Sequence, residues 1–372
     1  MTELSKDLLN YDQGELALEL TSTLGLPPFR ARQLIQWVHR RRVKTFDVMT
    51  DISMMVREQL AEHYHIGRPE VSTVQLSEDG TRKFLLKLKD GAAVETVLIK
   101  QPKRYTLCVS SQVGCAIGCK FCRTGLMGLK RHLTTSEIVG QVLTVKDYVV
   151  EHGLSLAEDG ELFRNIVFMG RGEPLHNYDN VVRAVRLLND GLGLNFSSRK
   201  ITVSTSGLVP AIRDFGEQDV PANLAVSLNA TTDEVRTALI PINKKYPLED
   251  LLRTLRELPL AGRRRVTMEY VMLSGVNDTD ADLGRIPKLL HGIPSKLNLI
   301  PYNDNTGLGF KSPSRDTIEK WHKTLLGQGI NTTVRWSKGL DISAACGQLA
   351  SEKDAVRDGL KKVGNGALTQ TR

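Results

Sequence analysis

Apolar positions change period along the chain. Up to about residue 70 they recur at helical spacing. The stretch from Leu16 to Leu26 runs into Pro27-Pro28, a break with helix-start chemistry, and Phe29, Leu34, Ile35 and Val38 then resume on one helical face. Residues 71–100 instead alternate apolar and polar, notably over 83–88 and 94–99, with Asp90-Gly91 between these runs. That period predicts a hairpin or meander. From about 105 onward, short strand-like runs alternate with helical stretches. Strands are predicted over 106–110, 165–169, 200–204, 223–228, 266–273 and 296–300, with a seventh short run over 332–336. Between them, Thr134 with Glu137 forms a capping box ahead of Ile138, Val139, Val142 and Leu143. Leu248, Leu251, Leu252, Leu255 and Leu258 make one apolar face, and Ile318, Trp321, His322 and Leu325 another. Six β/α repeats predict an α/β fold whose parallel sheet is closed or nearly closed into a barrel, with chemistry at the carboxyl ends of the strands.

Composition narrows the class. The 372 residues are 41% hydrophobic and 25% charged, which suits a globular core and excludes global disorder. Fifty basic against 42 acidic residues give a net charge of +8, which favours a polyanionic partner. Arg30, Arg32, Arg40, Arg41, Arg42 and Lys44 precede the next acid, Asp47. Such a run is either a solvated face or a stripe for phosphates. No stretch reaches the roughly 18 apolar residues of a membrane span, and the polar N-terminus is no signal peptide. The expected location is cytoplasmic. The tail over 351–372 is polar and expected to be flexible.

Five cysteines cannot all pair within the chain. Cys108, Cys115, Cys119 and Cys122 crowd into one short window, and Cys346 stands alone near the C-terminus. Cys115, Cys119 and Cys122 form C-x3-C-x2-C. Structural zinc usually takes four protein ligands, often in two paired clusters, and no second pair exists here. A [4Fe–4S] cluster fits better, because each iron takes one thiolate and three cysteines leave one iron open. Structural zinc stays the alternative. The run Phe168-Met169-Gly170-Arg171-Gly172-Glu173-Pro174-Leu175 ends the second barrel strand with glycines and an acid, suited to close backbone approach and to an ammonium or ribose hydroxyls. A tight turn is its bland reading. Ser204-Thr205-Ser206-Gly207 and Ser227-Leu228-Asn229 close the third and fourth strands.

A C-x3-C-x2-C motif after a first barrel strand, followed by a GGEP-like element, resembles the radical S-adenosylmethionine superfamily. Cys108, seven residues before the motif, and Asp341-Ile-Ser-Ala-Ala-Cys346-Gly-Gln-Leu narrow the resemblance to the RlmN/Cfr family of RNA methyltransferases. Leu239-Ile-Pro-Ile-Asn243 and Gly275-Val-Asn-Asp278 extend it over most of the chain. The resemblance implies a partial (β/α)6 barrel over 91–350 behind a small basic helical RNA-engaging unit over 1–90, which includes the linking hairpin. It implies a [4Fe–4S] cluster on Cys115, Cys119 and Cys122, and two S-adenosylmethionine molecules per turnover. Gly172, Glu173, Ser204, Ser227, Leu228, Asn229 and Asn303 are then cofactor contacts. The implied substrate is adenosine in 23S rRNA, and also tRNA, methylated at carbon 2; the carbon-8 reaction of the Cfr branch is the alternative. In the reaction the resemblance implies, one S-adenosylmethionine methylates Cys346. The second yields a 5′-deoxyadenosyl radical that activates the methyl group for addition to the ring. Glu95 takes the ring proton, and Cys108 attacks the Cys346 sulfur to release the product, leaving a disulfide. Pattern alone makes Glu95 the polar face of an edge strand and Asn303 a turn residue. The implied partners are the RNA and an external electron donor such as flavodoxin, with the chain a monomer. Arg123, Arg171 and Asn229 depart from the commoner alanine, methionine and histidine. Both arginines are expected near the barrel mouth, within reach of RNA phosphate. A non-catalytic zinc-containing RNA-binding protein is the rival class.

Overall fold

The computed structural model describes residues 5–102, 104–154, 163–260, 264–303 and 307–349. The tail expected to be flexible lies outside them. Three helices open the chain: α1 (Gln13–Leu24), α2 (Phe29–Ile35) and α3 (Met54–His63). Asp12 and Glu15 cap α1 reciprocally, and Gly25 ends it at φ +64°. α2 passes into a π turn, Gln36–Arg40, which buries Trp37, Val38 and His39. Leu34, Ile35 and Val38 are buried as their spacing predicts, but Phe29 is half exposed, with the Arg30 guanidinium over its ring. A position at the start of a helix has no turn before it to pack against, so the buried stripe begins at Ala31 instead.

One ten-stranded sheet follows, with its strands in chain order. β1 (Glu70–Leu76), β2 (Arg82–Lys87), β3 (Ala93–Gln101) and β4 (Arg104–Cys108) are antiparallel neighbours. β4 then starts a parallel series: β5 (Asn165–Phe168), β6 (Ile201–Thr205), β7 (Asn223–Ser227), β8 (Val266–Met272), β9 (Ser295–Pro301) and β10 (Thr332–Val334). The crossover helices are α4 (Thr135–Glu151), α5 (Tyr178–Asn189), α6 (Val209–Glu217), α7 (Asp233–Leu239) with α8 (Leu248–Glu257), α9 (Asp280–Leu290) and α10 (Arg315–Gly327). All seven predicted strands form within two residues of their expected bounds, and the Thr134–Glu137 capping box starts α4. Among the described residues β1 and β10 do not pair, so the barrel is partial.

The predicted hairpin is three strands, and it is continuous with the barrel sheet. β3 therefore lies between β2 and β4, and its Glu95 is buried instead of facing solvent at an edge. The opening helices share one apolar core with the barrel: Leu16, Leu20 and Leu34 belong to the same cluster as Ile138, Val142 and Val203. Asn10 accepts a hydrogen bond from the Ser136 amide at 2.9 Å, and Arg42 pairs with Asp147 of α4 at 3.1 Å. Lys44 also faces Asp147. The basic run is thus split. Arg32, Arg40 and Arg41 stay exposed, with Arg41 stacked on Trp37.

Candidate active site at the carboxyl ends of the barrel strands

β4 ends at Cys108, and the chain then folds a short antiparallel bracket, Gln112–Gly114 against Leu129–His132. The bracket holds the three-cysteine loop. Gly114 sits at φ +80°, and a Cβ there would lie 1.9 Å from the Gly128 carbonyl, which accepts the Cys115 amide at 2.9 Å. Only glycine allows that closure. The Cys122 amide donates to the Cys119 carbonyl at 3.2 Å. Burial pushes the Cys115 thiol up to about 12 and the Cys119 thiol well above its ordinary value, and each feels its neighbours' charge. Thiolates so placed need compensating positive charge. Among the described residues, no three His, Cys, Asp or Glu side chains converge on one ion. Three partly buried cysteines on one loop, with no fourth His or Cys ligand in the motif, suit a cluster, whose irons take one thiolate each, better than a single zinc.

The turn after β5 is built on close approach. Gly172 lies at φ +102°, and a Cβ there would fall 2.5 Å from Gln112 Cβ. The Gln112 side chain accepts the Glu173 amide at 2.8 Å. Glu173 is buried; its carboxylate accepts the Ser206 amide at 2.7 Å and the Leu175 amide at 3.1 Å. Burial raises its pKa, and these donors oppose the rise. The next residue back overturns an expectation. Arg171 is wholly buried, its Nη2 2.8 Å and its Nε 2.9 Å from Glu95 Oε2. It cannot reach RNA phosphate, because its charge is spent inside the protein. Glu95 Oε1 faces Lys83 Nζ at 3.9 Å.

Sequence reasoning missed Arg236. It is fully buried, and its guanidinium donates to the carbonyls of Ser206 (2.7 Å), Ser227 (2.9 Å) and Leu228 (3.1 Å) and to Asn243 Oδ1 (2.7 Å). One side chain thus ties the turns after β6 and β7 together beside the cysteine loop. Its charge opposes the upward shift of the Cys119 thiol. On a helix an arginine reads as solvent-facing, so the pattern hid it; the Asn243 end of the Leu239–Asn243 motif was the available signal. Ser204 and Ser227 are half-buried at the ends of β6 and β7, and Leu228 is buried. Asn229 is buried at φ +53°, its Oδ1 accepting the Val271 amide at 2.7 Å.

The C-terminal segment closes the site. Asn303 Nδ2 donates to the Cys346 carbonyl at 3.2 Å, so its side chain fixes the cysteine segment. The Arg123 amide donates to the Gly347 carbonyl at 2.9 Å, and Thr124 Oγ1 to the Leu349 carbonyl at 2.8 Å. Cys346 is thereby held beside the cysteine loop. On its other side, Cys108 packs with Ala344 and Leu349. Burial pushes the Cys108 thiol up to about 12, and the nearby charge of Cys346 adds to the rise. Cys346 acts on Cys122 in the same way. Arg335, just past β10, is held above its ordinary value chiefly by the charge of Cys346, with Glu269 and Cys108 adding. Sequence reasoning also missed Arg335, for want of any motif around it. The opposite anchor is the β1–β2 turn. Ser77 Oγ donates to Asp341 Oδ1 at 2.6 Å, the Glu78 amide to Asp341 Oδ2 at 3.1 Å, and the Gly339 amide to Asp79 Oδ2 at 2.9 Å.

Known proteins match this arrangement along nearly the whole chain. The family model for the radical SAM superfamily matches residues 109–284, and that for the ribosomal RNA large subunit methyltransferase N-terminal domain matches residues 6–66. The dual-specificity RNA methyltransferase RlmN of Geobacter sulfurreducens is 50% identical over 333 residues, 90% of this chain and 89% of that protein. The protein of the same name from Geotalea uraniireducens is 48% identical over 353 residues, 95% of this chain and 99% of its own. The crystal structure of a radical SAM methyltransferase from Sphaerobacter thermophilus superimposes with a TM-score of 0.85 at 42% identity, covering 92% of this chain and 98% of that one. The family's cofactors are a [4Fe–4S] cluster and S-adenosylmethionine, and the donor set described above fits them. The chain belongs to the RlmN family of radical S-adenosylmethionine RNA methyltransferases.

Proposed function

We propose that this chain methylates carbon 2 of an adenosine in 23S rRNA, and in tRNA, with Cys346 as the methyl carrier. When bound, the cluster and S-adenosylmethionine supply the methyl group and the one-electron chemistry that activates it. Cys115, Cys119 and Cys122 would hold the cluster. Gly172, Glu173, Ser204, Ser227, Leu228, Asn229 and Asn303 would line the S-adenosylmethionine site, with buried Glu173 the natural partner for an ammonium.

The chain's own residues do the rest. Cys346 carries the methyl group as a thioether. Glu95 receives the ring proton. Its Oε2 is held by Arg171 at hydrogen-bond distance, while Oε1 has Lys83 no nearer than 3.9 Å and is the oxygen proposed to accept. Cys108 then attacks the Cys346 sulfur. The S–S bond forms, the S–C bond breaks with its electron pair going to the carbon, and that carbon takes up a proton. Two electrons from an external reductant reopen the disulfide. A flavodoxin-type donor, a cytoplasmic location and a monomeric chain complete the reading. Among the described residues, no helix is long and apolar enough to cross a membrane. Residues 1–90 form the RNA-engaging unit, and their exposed Arg32, Arg40 and Arg41 suit phosphate contacts.

What supports the reading is the placement of the Cys346 segment: Ala344 and Leu349 pack on Cys108, while Arg123 and Thr124 beside the cysteine loop bond the Gly347 and Leu349 carbonyls. The test is mass spectrometry of RNA treated with the reconstituted protein, S-adenosylmethionine and reductant. 2-Methyladenosine is expected; 8-methyladenosine, or no methylation, would overturn it. Cys108→Ala should trap a covalent RNA adduct through Cys346.

A further inference from the structure

The linking hairpin reaches far past its place in the sequence. Its turn and second strand bind the segment that carries Cys346 at four residues. Asp341 takes the Ser77 hydroxyl and the Glu78 amide, and Asp79 takes the Gly339 amide. Lys83 of β2 donates to the carbonyls of Ile342 at 2.5 Å and Ser343 at 3.4 Å. These contacts join residues more than 250 positions apart. The segment needs the restraint. Ser343 sits at φ +50°, a left-handed conformation that a non-glycine residue keeps only when its surroundings impose it. Gly339 packs so closely on Thr81 that a Cβ would approach its Cγ2 to 3.1 Å. The Ser77 hydroxyl and the Glu78 amide also hold the Asp341 carboxyl below the usual carboxylate range. Beyond the turn, the anchors at Cys346, Gly347 and Leu349 come from Asn303, Arg123 and Thr124. The segment is therefore strung between the hairpin and the cysteine loop, with Cys108 beneath it.

We propose that the β1–β2 turn is a latch, and that Asp341 is a positioning residue fixing the Cys346 thiol between Cys108 and the cysteine loop. The consequence for catalysis rests on the reading of Cys346 as methyl carrier, but the latch itself is a property of the chain. Removing the Asp341 carboxylate takes away two of the five hairpin bonds and loosens the segment, which Asp79 and Lys83 still hold, so the thiol samples positions farther from Cys108 more often. The effective concentration of one thiol at the other falls accordingly.

That quantity is measurable without turnover. The full-length, cluster-loaded protein is equilibrated anaerobically in glutathione redox buffers, and the Cys108–Cys346 disulfide is quantified by thiol alkylation and peptide mass spectrometry. Oxidised glutathione takes two electrons and two protons from the thiol pair and becomes two reduced molecules. Asp341→Ala should lower the equilibrium constant for the disulfide tenfold or more, with iron per chain unchanged. Asp341→Asn, whose Oδ1 can still accept the Glu78 amide while its Nδ2 donates to the Ser77 oxygen, should stay within about threefold of the parent. A value for Asp341→Ala within twofold of the parent would overturn the latch. If that variant does not fold, Ser77→Ala takes its place, with a fall of at least threefold expected and no change overturning the proposal. Methylation of Cys346, read as a mass increment on its peptide, separates the two claims. Its absence from the parent protein would sink the carrier reading and leave the latch standing on the disulfide measurement.

Discussion

Replacing Arg236 by methionine tests whether one buried cation holds the cofactor-facing turns in register. The guanidinium bonds three backbone carbonyls and the Asn243 amide oxygen, all in the interior. Burial pulls its pKa down to about 10, which leaves it cationic at neutral pH. Methionine fills much of the same volume with no donor. The Ser206 and Ser227 carbonyls and Asn243 Oδ1 then lose this donor at roughly 1–2 kcal/mol each, while Leu228 keeps the Ala230 amide; less about 1–2 kcal/mol of relief from no longer burying a charge, the net loss is about 2–4 kcal/mol. Lysine places one compact ammonium where a planar fork spans four acceptors, so Arg236→Lys should lie between parent and methionine variant. Urea unfolding under anaerobic conditions reads the stability, and iron per chain after reconstitution reads the loop. Because the Arg236 charge bears on Cys119, the methionine variant should also retain less iron than the parent. An Arg236→Met protein within about 1 kcal/mol of the parent, and with full iron, would refute the reasoning.

Three further outcomes follow from the geometry. Arg171→Met breaks a buried ion pair and leaves the Glu95 carboxylate with Lys83 at 3.9 Å as its counter-charge, so it should cost about 3–5 kcal/mol in denaturant unfolding, and Glu95→Gln in the same chain should recover part of that; additive losses would deny the coupling. Gly172→Ala forces a residue with a Cβ to φ +102° against Gln112, and should weaken S-adenosylmethionine binding in equilibrium dialysis by about fivefold to 150-fold, from roughly 1–3 kcal/mol of strain; unaltered binding would place the cofactor elsewhere. His39 is buried and its imidazole is pushed down to about 3, by burial first and then by the Arg68 charge. Its neutral form fits the fold, while the unfolded chain protonates near 6.5, so the His39 contribution is complete above about pH 6.5 and declines as pH falls towards 3. Stability at pH 5 should be about 2 kcal/mol lower than at pH 7 on this account, and His39→Leu should flatten the difference in urea titrations at the two pH values. An equal loss in that variant would assign the effect to other groups.

Periodicity and spacing went far for this chain, for reasons that are local. A strand or helix is set by apolar spacing over a few residues, and the C-x3-C-x2-C loop needs only its own cysteines and glycines to declare its donors. Thus the seven barrel strands, the α4 capping box and the loop that brings Cys115, Cys119 and Cys122 together were all legible along the sequence. The burial of Glu95 was not legible, because alternation reported a polar residue in a strand and could not report which strands flank it. Three-dimensional packing decided that β3 is interior, and so turned Glu95 and Arg171 from surface charges into a buried pair.

The same division holds for the cysteines. The sequence by itself determined that three of the five belong to one loop and that two are left over. It had no means of bringing Cys346 to Cys108, since 238 residues separate them and no local preference measures that distance. That juxtaposition comes from the barrel curling the end of β4 towards the segment after β10, and from the hairpin reaching across to hold Asp341. Arg236 and Arg335 belong to the tertiary structure for a related reason. A buried cation is defined by the acceptors and anions around it, and those are contributed by turns scattered along the chain.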